Sequence, residues 1–216
     1  MSTLSTAESA PRVPVLADAF ASTKVRSAVA ILGGALFTAL CAQITIPMTP
    51  VPMTGQTLAV MLVGSALGWK RGMAALTLYM VLGFGLPFYA DGGSGIDNIT
   101  GIGSVAGASG GYIIGFIFAA GAIGWLAEHG SDRKIPTAFL SFIVGQLIIF
   151  AFGLAGLKMA APELVSLGFM ESSNWSTVIH DGFTIFIIGG LVKAAIGAIL
   201  MPTAWKIESS LNERKH

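Results

Sequence analysis

The chain has 216 residues, of which 54% are hydrophobic and only 11% are charged, and its net charge is +1 at pH 7. Soluble domains carry about 25% charged residues, so this chain is too poor in charge to cover a water-facing surface and is predicted to be an integral membrane protein. The small net charge gives no indication of a nucleic-acid partner. The single cysteine, Cys41, excludes an intramolecular disulfide and a multi-cysteine metal site.

Six apolar segments follow a polar amino-terminal stretch and predict an all-α protein with six transmembrane helices. A transmembrane helix needs about 20 apolar residues. The segments cover residues 25–43, 57–69, 72–90, 110–127, 137–157 and 183–205. We therefore predict a disordered cytoplasmic tail at 1–24, a six-helix membrane domain that binds the substrate at 25–206, and a cytoplasmic tail at 207–216.

The placement of positive charge predicts the orientation of this domain. With a cytoplasmic amino terminus, ten of the twelve Lys and Arg residues fall in cytoplasmic segments. Lys158 lies outside and Lys193 lies within the last helix. Cytoplasmic loops of membrane proteins carry such an excess of Lys and Arg, so both termini are expected in the cytoplasm.

The second apolar segment is too short to cross the membrane by itself. Residues 57–69 would span roughly 20 Å at 1.5 Å per residue, whereas the hydrocarbon core is about 30 Å thick. The preceding segment contains Pro47, Pro50 and Pro52 and cannot form a regular helix. Irregular backbone is tolerated at membrane depth only inside protein or beside a cavity. We therefore predict a re-entrant, Pro-rich first external loop beside a binding site.

Lys193 is the strongest candidate for a ligand-binding residue. It lies about halfway along the last apolar segment, where a charge costs about 2.5–3.5 kcal/mol. One interpretation is a side chain that reaches the headgroups. The position, far from both helix ends, favours an ammonium that faces an anionic or strongly polar ligand.

Polar residues of the external segments supply further candidates. Thr54 either caps the second helix or contacts the ligand, and the amide of Gln56 can pair with an amide or ureido group. Ser109 is predicted to begin the fourth helix, whose N–H groups can receive a carboxylate, although a flexible loop is the alternative there. Asp181, at the start of the last helix, lies either in the site or at the membrane interface.

The sequence contains no nucleophile–base pair, metal-ligand cluster or phosphate-binding loop. We therefore predict that the chain is not an enzyme, and that it cannot power transport with ATP by itself because it has no Walker sequence. The small residues Ala35 and Ala39 have the spacing that packs membrane helices closely. They are interpreted either as packing within the chain or as a docking surface for a partner subunit.

One segment resembles a known family. Residues 44–60, ITIPMTPVPMTGQTLAV, resemble the signature of the BioY family of biotin transporters. The resemblance continues in GFGLPFYA at 83–90 and GASGGYIIGF at 107–116, and it covers about residues 30–205. Two positions depart from the family pattern: Ala108 and Ser109 replace a usual Pro-Thr, and Gly190 replaces an acidic residue.

The resemblance implies a substrate-capture subunit, or S component, of an energy-coupling-factor transporter in the bacterial cytoplasmic (inner) membrane. The expected ligand is biotin, and no cofactor is expected in this chain. The expected partners are the lipid bilayer, a transmembrane coupling protein and ATPase subunits that use ATP. The alternatives are capture of another vitamin, such as thiamine or riboflavin, or a membrane enzyme or channel.

The resemblance also implies that residues of the first external loop, the Gly-Gly-Tyr region and the last helix surround the ligand, and our hypothesis for the individual residues builds on this. Gln56 and Asn98 are expected to pair with the ureido ring of biotin. Phe88 and Tyr112 are expected to pack on its rings and chain. Lys193 is expected to supply the buried positive charge, for either the carboxylate or a ureido oxygen. Thr54, Ser109 and Asp181 complete the expected set.

Overall fold

The computed structural model describes residues 13–19, 23–100 and 105–213. Its regular elements are α1 (Lys24–Ala42), β1 (Thr45–Ile46), β2 (Met53–Thr54), α2 (Gln56–Leu82), α3 (Asp97–Thr100), α4 (Gly110–Ala127), α5 (Ile135–Ser166), α6 (Trp175–Gly182) and α7 (Ile187–Glu213). Short 3-10 helices join several of these elements. The predicted all-helical class is confirmed, with one two-stranded hairpin added to it.

Four helical segments of the described chain are long and apolar enough to cross a membrane. They are Lys24–Ala42, Gly107–Ala127, Ile135–Ser166 and Trp175–Leu211. Helices of this length and composition are typical of a multi-pass membrane protein. A count of six crossings would need α2 to supply the other two.

α2 is a folded-back pair of helical legs. Gly68 has φ 79° and ψ 175°, a conformation that essentially only glycine adopts, and it divides the helix into legs at 56–67 and 69–82. A straight helix would place Gln56 and Tyr79 about 35 Å apart at 1.5 Å per residue. Instead, Gln56 Nε2 donates a hydrogen bond to the Tyr79 hydroxyl. The two legs correspond to the predicted second and third apolar segments.

Small residues allow the legs to pack against α1 and α4. A Cβ on Gly64 would lie 2.8 Å from the carbonyl oxygen of Ala120 in α4, so the two backbones are in direct contact. Gly72 of the second leg packs on the first leg, since a Cβ there would lie 3.2 Å from the Gly64 Cα. Membrane helices associate through small residues of this kind.

The predicted docking surface at Ala35 and Ala39 is contradicted by the structure. Ala35 is 0% exposed and Ala39 is 6% exposed. Both belong to the core cluster that contains Val63 and Ala75 of α2. The small side chains bring α1 and α2 together within the chain, so this face is not available to a partner subunit.

Residues 13–19, which belong to the predicted disordered tail, are ordered. Leu16–Ala19 forms one turn of 3-10 helix, Val15 is 2% exposed, and the Val13 N–H donates to the Glu128 carbonyl oxygen at 2.8 Å. The burial of these apolar side chains against the helical bundle explains the difference. The rest of the predicted tail up to residue 22 lies outside the described residues.

The long helices run past their predicted ends. α5 continues to Ser166 and α7 to Glu213, so most of the predicted tail at 207–216 is helical. Polar residues extend a helix as readily as apolar ones once it is established, so hydropathy marks the membrane-embedded part of a helix and not its end.

The two ends of the bundle differ in character. At one end, Arg71 Nη2 pairs with Asp18 at 2.5 Å and Arg133 Nη2 donates to the Pro14 carbonyl oxygen at 2.7 Å. These contacts tie the amino-terminal segment to the α2 turn and the α4–α5 connection. The opposite end carries the β-hairpin, α3 and α6, and the cavity described next opens toward these elements.

Candidate functional site

The β-hairpin closes the end of the bundle where the cavity lies. β1 and β2 are antiparallel, with Thr45 opposite Thr54 and Ile46 opposite Met53. The hairpin reverses the chain directly after α1 and delivers it to α2. Prolines of the loop between the strands line a space together with Gln56, the first residue of α2, and they prevent the loop from continuing either helix.

Lys193 joins this hairpin to α7. Its Nζ donates to the Thr54 carbonyl oxygen at 2.6 Å and to Thr57 Oγ1 at 3.1 Å. The ammonium is therefore bonded inside the protein and does not reach for the headgroups. An ammonium has three donor positions, so one remains for a further acceptor.

A cavity of about 550 Å³, including its mouth, lies beside Lys193. Its polar lining consists of Thr54, Gln56, Thr57, Ser109, Gln146 and Lys193. Its apolar lining includes Met53, Tyr112, Ile113, Phe116, Ile149, Phe150 and Phe186. Five predicted residues, Thr54, Gln56, Ser109, Tyr112 and Lys193, thus share one cavity.

Gln56 is held by two side chains. Thr54 Oγ1 donates to Gln56 Oε1 at 2.7 Å, and Gln56 Nε2 donates to the Tyr79 hydroxyl. The Thr54 hydroxyl also accepts from the Gln56 backbone N–H at 3.3 Å. The N-cap residue of α2 is Gly55 and has no side-chain cap bond, so Thr54 precedes the cap, and it lines the cavity. These bonds fix the orientation of the Gln56 amide and leave its second N–H for a ligand.

Asn98 of α3 lines a second, more open space that adjoins the cavity. The two spaces share the lining residues Pro52, Gln56 and Ser109. The Asn98 side chain is buried, and its Nδ2 donates to the Ser94 carbonyl oxygen at 2.7 Å. This bond anchors the Gly-rich loop on the cavity mouth.

Neither Phe88 nor Asp181 lines the cavity or the adjoining space. Phe88 packs against the core cluster, and its neighbour Tyr89 lines the mouth instead. Asp181 of α6 pairs with His180 at 2.7 Å. The residue of α6 that contacts the cavity wall is Gly182, whose carbonyl oxygen accepts from the Tyr112 hydroxyl at 2.7 Å.

Sequence reasoning missed Gln146 and two rings of the aromatic wall, Phe150 and Phe186. Gln146 lies within α5 and is 5% exposed. A polar residue in the middle of an apolar membrane helix is a functional signal in its own right, and it would have identified this side chain. The rings of Tyr112, Phe150 and Phe186 lie with centroids 6.4–6.5 Å apart. Among the many phenylalanines of the chain, nothing in the sequence distinguishes these.

The cavity is built to hold a small molecule with a mixed surface. Aromatic and aliphatic side chains would enclose an apolar body, the Lys193 ammonium would attract a negative or strongly polar group, and the amides would pair with a hydrogen-bonding ring. Within residues 13–19, 23–100 and 105–213, no group of three or more His, Cys, Asp or Glu side chains is arranged to hold a metal ion.

Comparisons with a family model and with known proteins identify the same family. Residues 13–210 match the BioY family. The chain is 33% identical over 179 residues to biotin transporter BioY2 of Lactococcus lactis subsp. cremoris (strain MG1363), covering 82% of this chain and 89% of that one. It is 33% identical over 165 residues to biotin transporter BioY of Rhizobium etli, covering 73% and 79%.

The fold is also found in a solved structure. The crystal structure of the S-component for biotin from an ECF-type ABC transporter superposes with a TM-score of 0.68 at 21% identity, covering 86% of this chain and 94% of that chain. The expected family is thereby confirmed by the match along most of the sequence. This chain belongs to the BioY family.

Proposed function

We propose that this chain captures biotin and takes part in its uptake as the S component of an energy-coupling-factor transporter. The proposal rests on the cavity beside Lys193. It is supported by relatives of the chain that are named biotin transporters. Biotin has a carboxylate, an apolar thioether ring and chain, and a ureido ring. The ammonium, the aromatic wall and the amides of the cavity are complementary to these three parts.

The proposed orientation has the cavity open to the outside of the bacterial cytoplasmic membrane. The described Lys and Arg residues near the amino-terminal segment and the α4–α5 connection lie at the opposite end, which the positive-inside tendency assigns to the cytoplasm. The two α2 legs then supply two short crossings, completed by the re-entrant hairpin. This arrangement gives six crossings, a membrane domain at 25–206 and two cytoplasmic termini.

Transport also requires a source of energy. The sequence contains no ATP-binding loop, so the proposal includes a transmembrane coupling protein and ATPase subunits as partners. The chain itself would perform no catalysis. It would bind biotin outside and release it inside when the partners change its conformation.

Equilibrium binding tests the proposal. The chain is purified in detergent, and tritiated biotin is titrated with and without excess unlabelled biotin. Saturable binding that thiamine and riboflavin do not compete supports biotin capture. Saturable binding of labelled thiamine or riboflavin by a chain that does not bind biotin would assign the cavity to another vitamin. A folded, monodisperse sample without saturable biotin binding would contradict the proposal.

A further inference from the structure

Gln146 is a buried amide that points into the cavity. It is 5% exposed and lines the space beside Lys193. Its amide makes no hydrogen bond with any other group in the part of the chain that the structure describes. A buried polar group without a partner costs free energy, and within a membrane helix such a residue is expected to serve a ligand.

Gly190 of α7 provides the space for this amide. A Cβ at position 190 would lie 2.6 Å from Gln146 Nε2 and 3.0 Å from Gln146 Oε1. Any side chain there would have to displace the amide. The absence of a side chain at Gly190 thus allows α5 to present Gln146 across the surface of α7.

The amide and the ammonium line the same cavity. Gly190 and Lys193 are three residues apart on α7, so they lie on one face of the helix, and both line the cavity with Gln146. The ammonium can only donate hydrogen bonds, whereas the amide offers a donor and an acceptor side by side. Because the Gln146 amide carries no charge, it does not neutralise the positive charge of Lys193.

From this arrangement we infer that Gln146 is the specificity-determining residue for the ring of the ligand. It recognises a ring edge that presents an N–H beside a carbonyl oxygen. The inference rests on the proposed function, in which that edge belongs to the ureido ring of biotin. The Gln146 carbonyl oxygen accepts from the ureido N–H, and its NH₂ group donates to the ureido oxygen.

Substitution of Gln146 and a ring analogue test this role. Gln146→Leu is expected to weaken biotin binding by about tenfold or more, the loss expected for paired hydrogen bonds at a buried edge. Ser141→Ala is the matched control, because Ser141 is a buried polar residue of the same helix whose hydroxyl donates to the Thr137 carbonyl oxygen. It should bind biotin with wild-type affinity.

A change in ligand preference separates recognition from folding. In protonated 2-iminobiotin an imino group replaces the ureido oxygen, so its ring edge offers only donors. Gln146→Glu offers only acceptors when ionised and should shift the ratio of the two affinities toward 2-iminobiotin. A variant that is merely misfolded would lose both ligands in proportion.

Gly190→Ala provides the second variant. It should weaken biotin binding in the wild-type background by displacing the amide, and it should have a much smaller effect in the Gln146→Leu background, since changes at two sites in contact are not additive.

The outcomes separate this inference from the proposed function. A wild-type chain that binds no biotin overturns both. Biotin binding by the wild-type chain, together with unchanged affinity of Gln146→Leu or an unchanged ligand ratio for Gln146→Glu, overturns only the role of Gln146.

Discussion

The Lys193 ammonium of α7 donates a 2.6 Å hydrogen bond to the carbonyl oxygen of Thr54, the last residue of β2. This bond links a membrane helix to the hairpin that closes the cavity. It also keeps the ammonium at the wall of the cavity in the absence of a ligand. A carboxylate in the cavity would add a charged acceptor to the neutral ones that the protein provides.

Replacement of this ammonium should weaken ligand binding. Lys193→Met is expected to lower biotin affinity about tenfold or more, because a hydrogen bond to a charged group contributes about 1.5–3 kcal/mol. Saturation binding with tritiated biotin measures the change. Lys158→Met is the matched control, since Lys158 Nζ donates to the Ser173 carbonyl oxygen away from the cavity. Equal affinities of the two variants would remove Lys193 from the site.

Gly68 should be intolerant of a side chain. Its positive φ strains any other residue, and a Cβ would lie 2.6 Å from Glu128 Oε1. Gly68→Ala is therefore expected to destabilise the chain by about 1–3 kcal/mol, seen as a lower melting temperature in detergent. Gly33→Ala is the control, because a Cβ there meets nothing within 4 Å. Equal melting temperatures of the two variants would mean that the α2 turn does not need glycine.

The contact between the α2 legs should contribute to stability. Tyr79→Phe removes the acceptor of the Gln56 amide and leaves a buried donor unpaired, which costs about 1–3 kcal/mol. The melting temperature should fall for this variant. In Thr77→Val the lost hydroxyl is exposed and donates only to the Met73 carbonyl oxygen of its own helix, so little change is expected. A Tyr79→Phe variant as stable as the wild type would show that the pair adds nothing.

Asp132, between α4 and α5, should make stability depend on pH. It is 1% exposed, and burial raises the pKa of its carboxyl against the opposing effects of the Trp205 hydrogen bond and of Arg133. A raised pKa means that the folded chain binds this proton more tightly than the unfolded chain. The contribution of Asp132 is therefore most favourable below its usual pKa, and it is lost as pH rises through the raised value.

Comparison with Asp132→Asn isolates this contribution, because asparagine does not titrate. The melting temperature of the wild type relative to Asp132→Asn should fall as pH rises above about 4, the usual pKa of an aspartate. The indole Nε1 of Trp205 donates to Asp132 Oδ2 at 2.6 Å. The fluorescence of Trp205 should therefore change as Asp132 loses its proton. A difference in melting temperature that does not vary with pH would contradict the burial argument.

The order of elements followed from hydropathy, but the shape of α2 did not. Apolar runs at 57–69 and 72–90 predict two helical segments, and both occur. The turn between them is the single residue Gly68, since only its backbone adopts the required φ. Other glycines in the chain have equal freedom, so nothing local identifies this one as the turn.

Candidate site residues were predictable where a polar group is costly. Lys193 was found because a charge in an apolar helix needs a partner, and Gln146 carries a weaker form of the same signal. Phe88 and Tyr89 show the limit, because an irregular loop has no periodicity from which to decide which of two neighbouring rings faces the cavity. Packing decides that, and it places Tyr89 at the mouth.

The sequence by itself determined the membrane-embedded helical class, the family resemblance and the buried lysine, because these depend on composition and on the order of residues. Only the tertiary structure decided that Ala35 and Ala39 face α2 and that Gln146 occupies the space left by Gly190. The physical reason is that small residues and buried amides acquire a role only from the group opposite them, and that group lies on another helix.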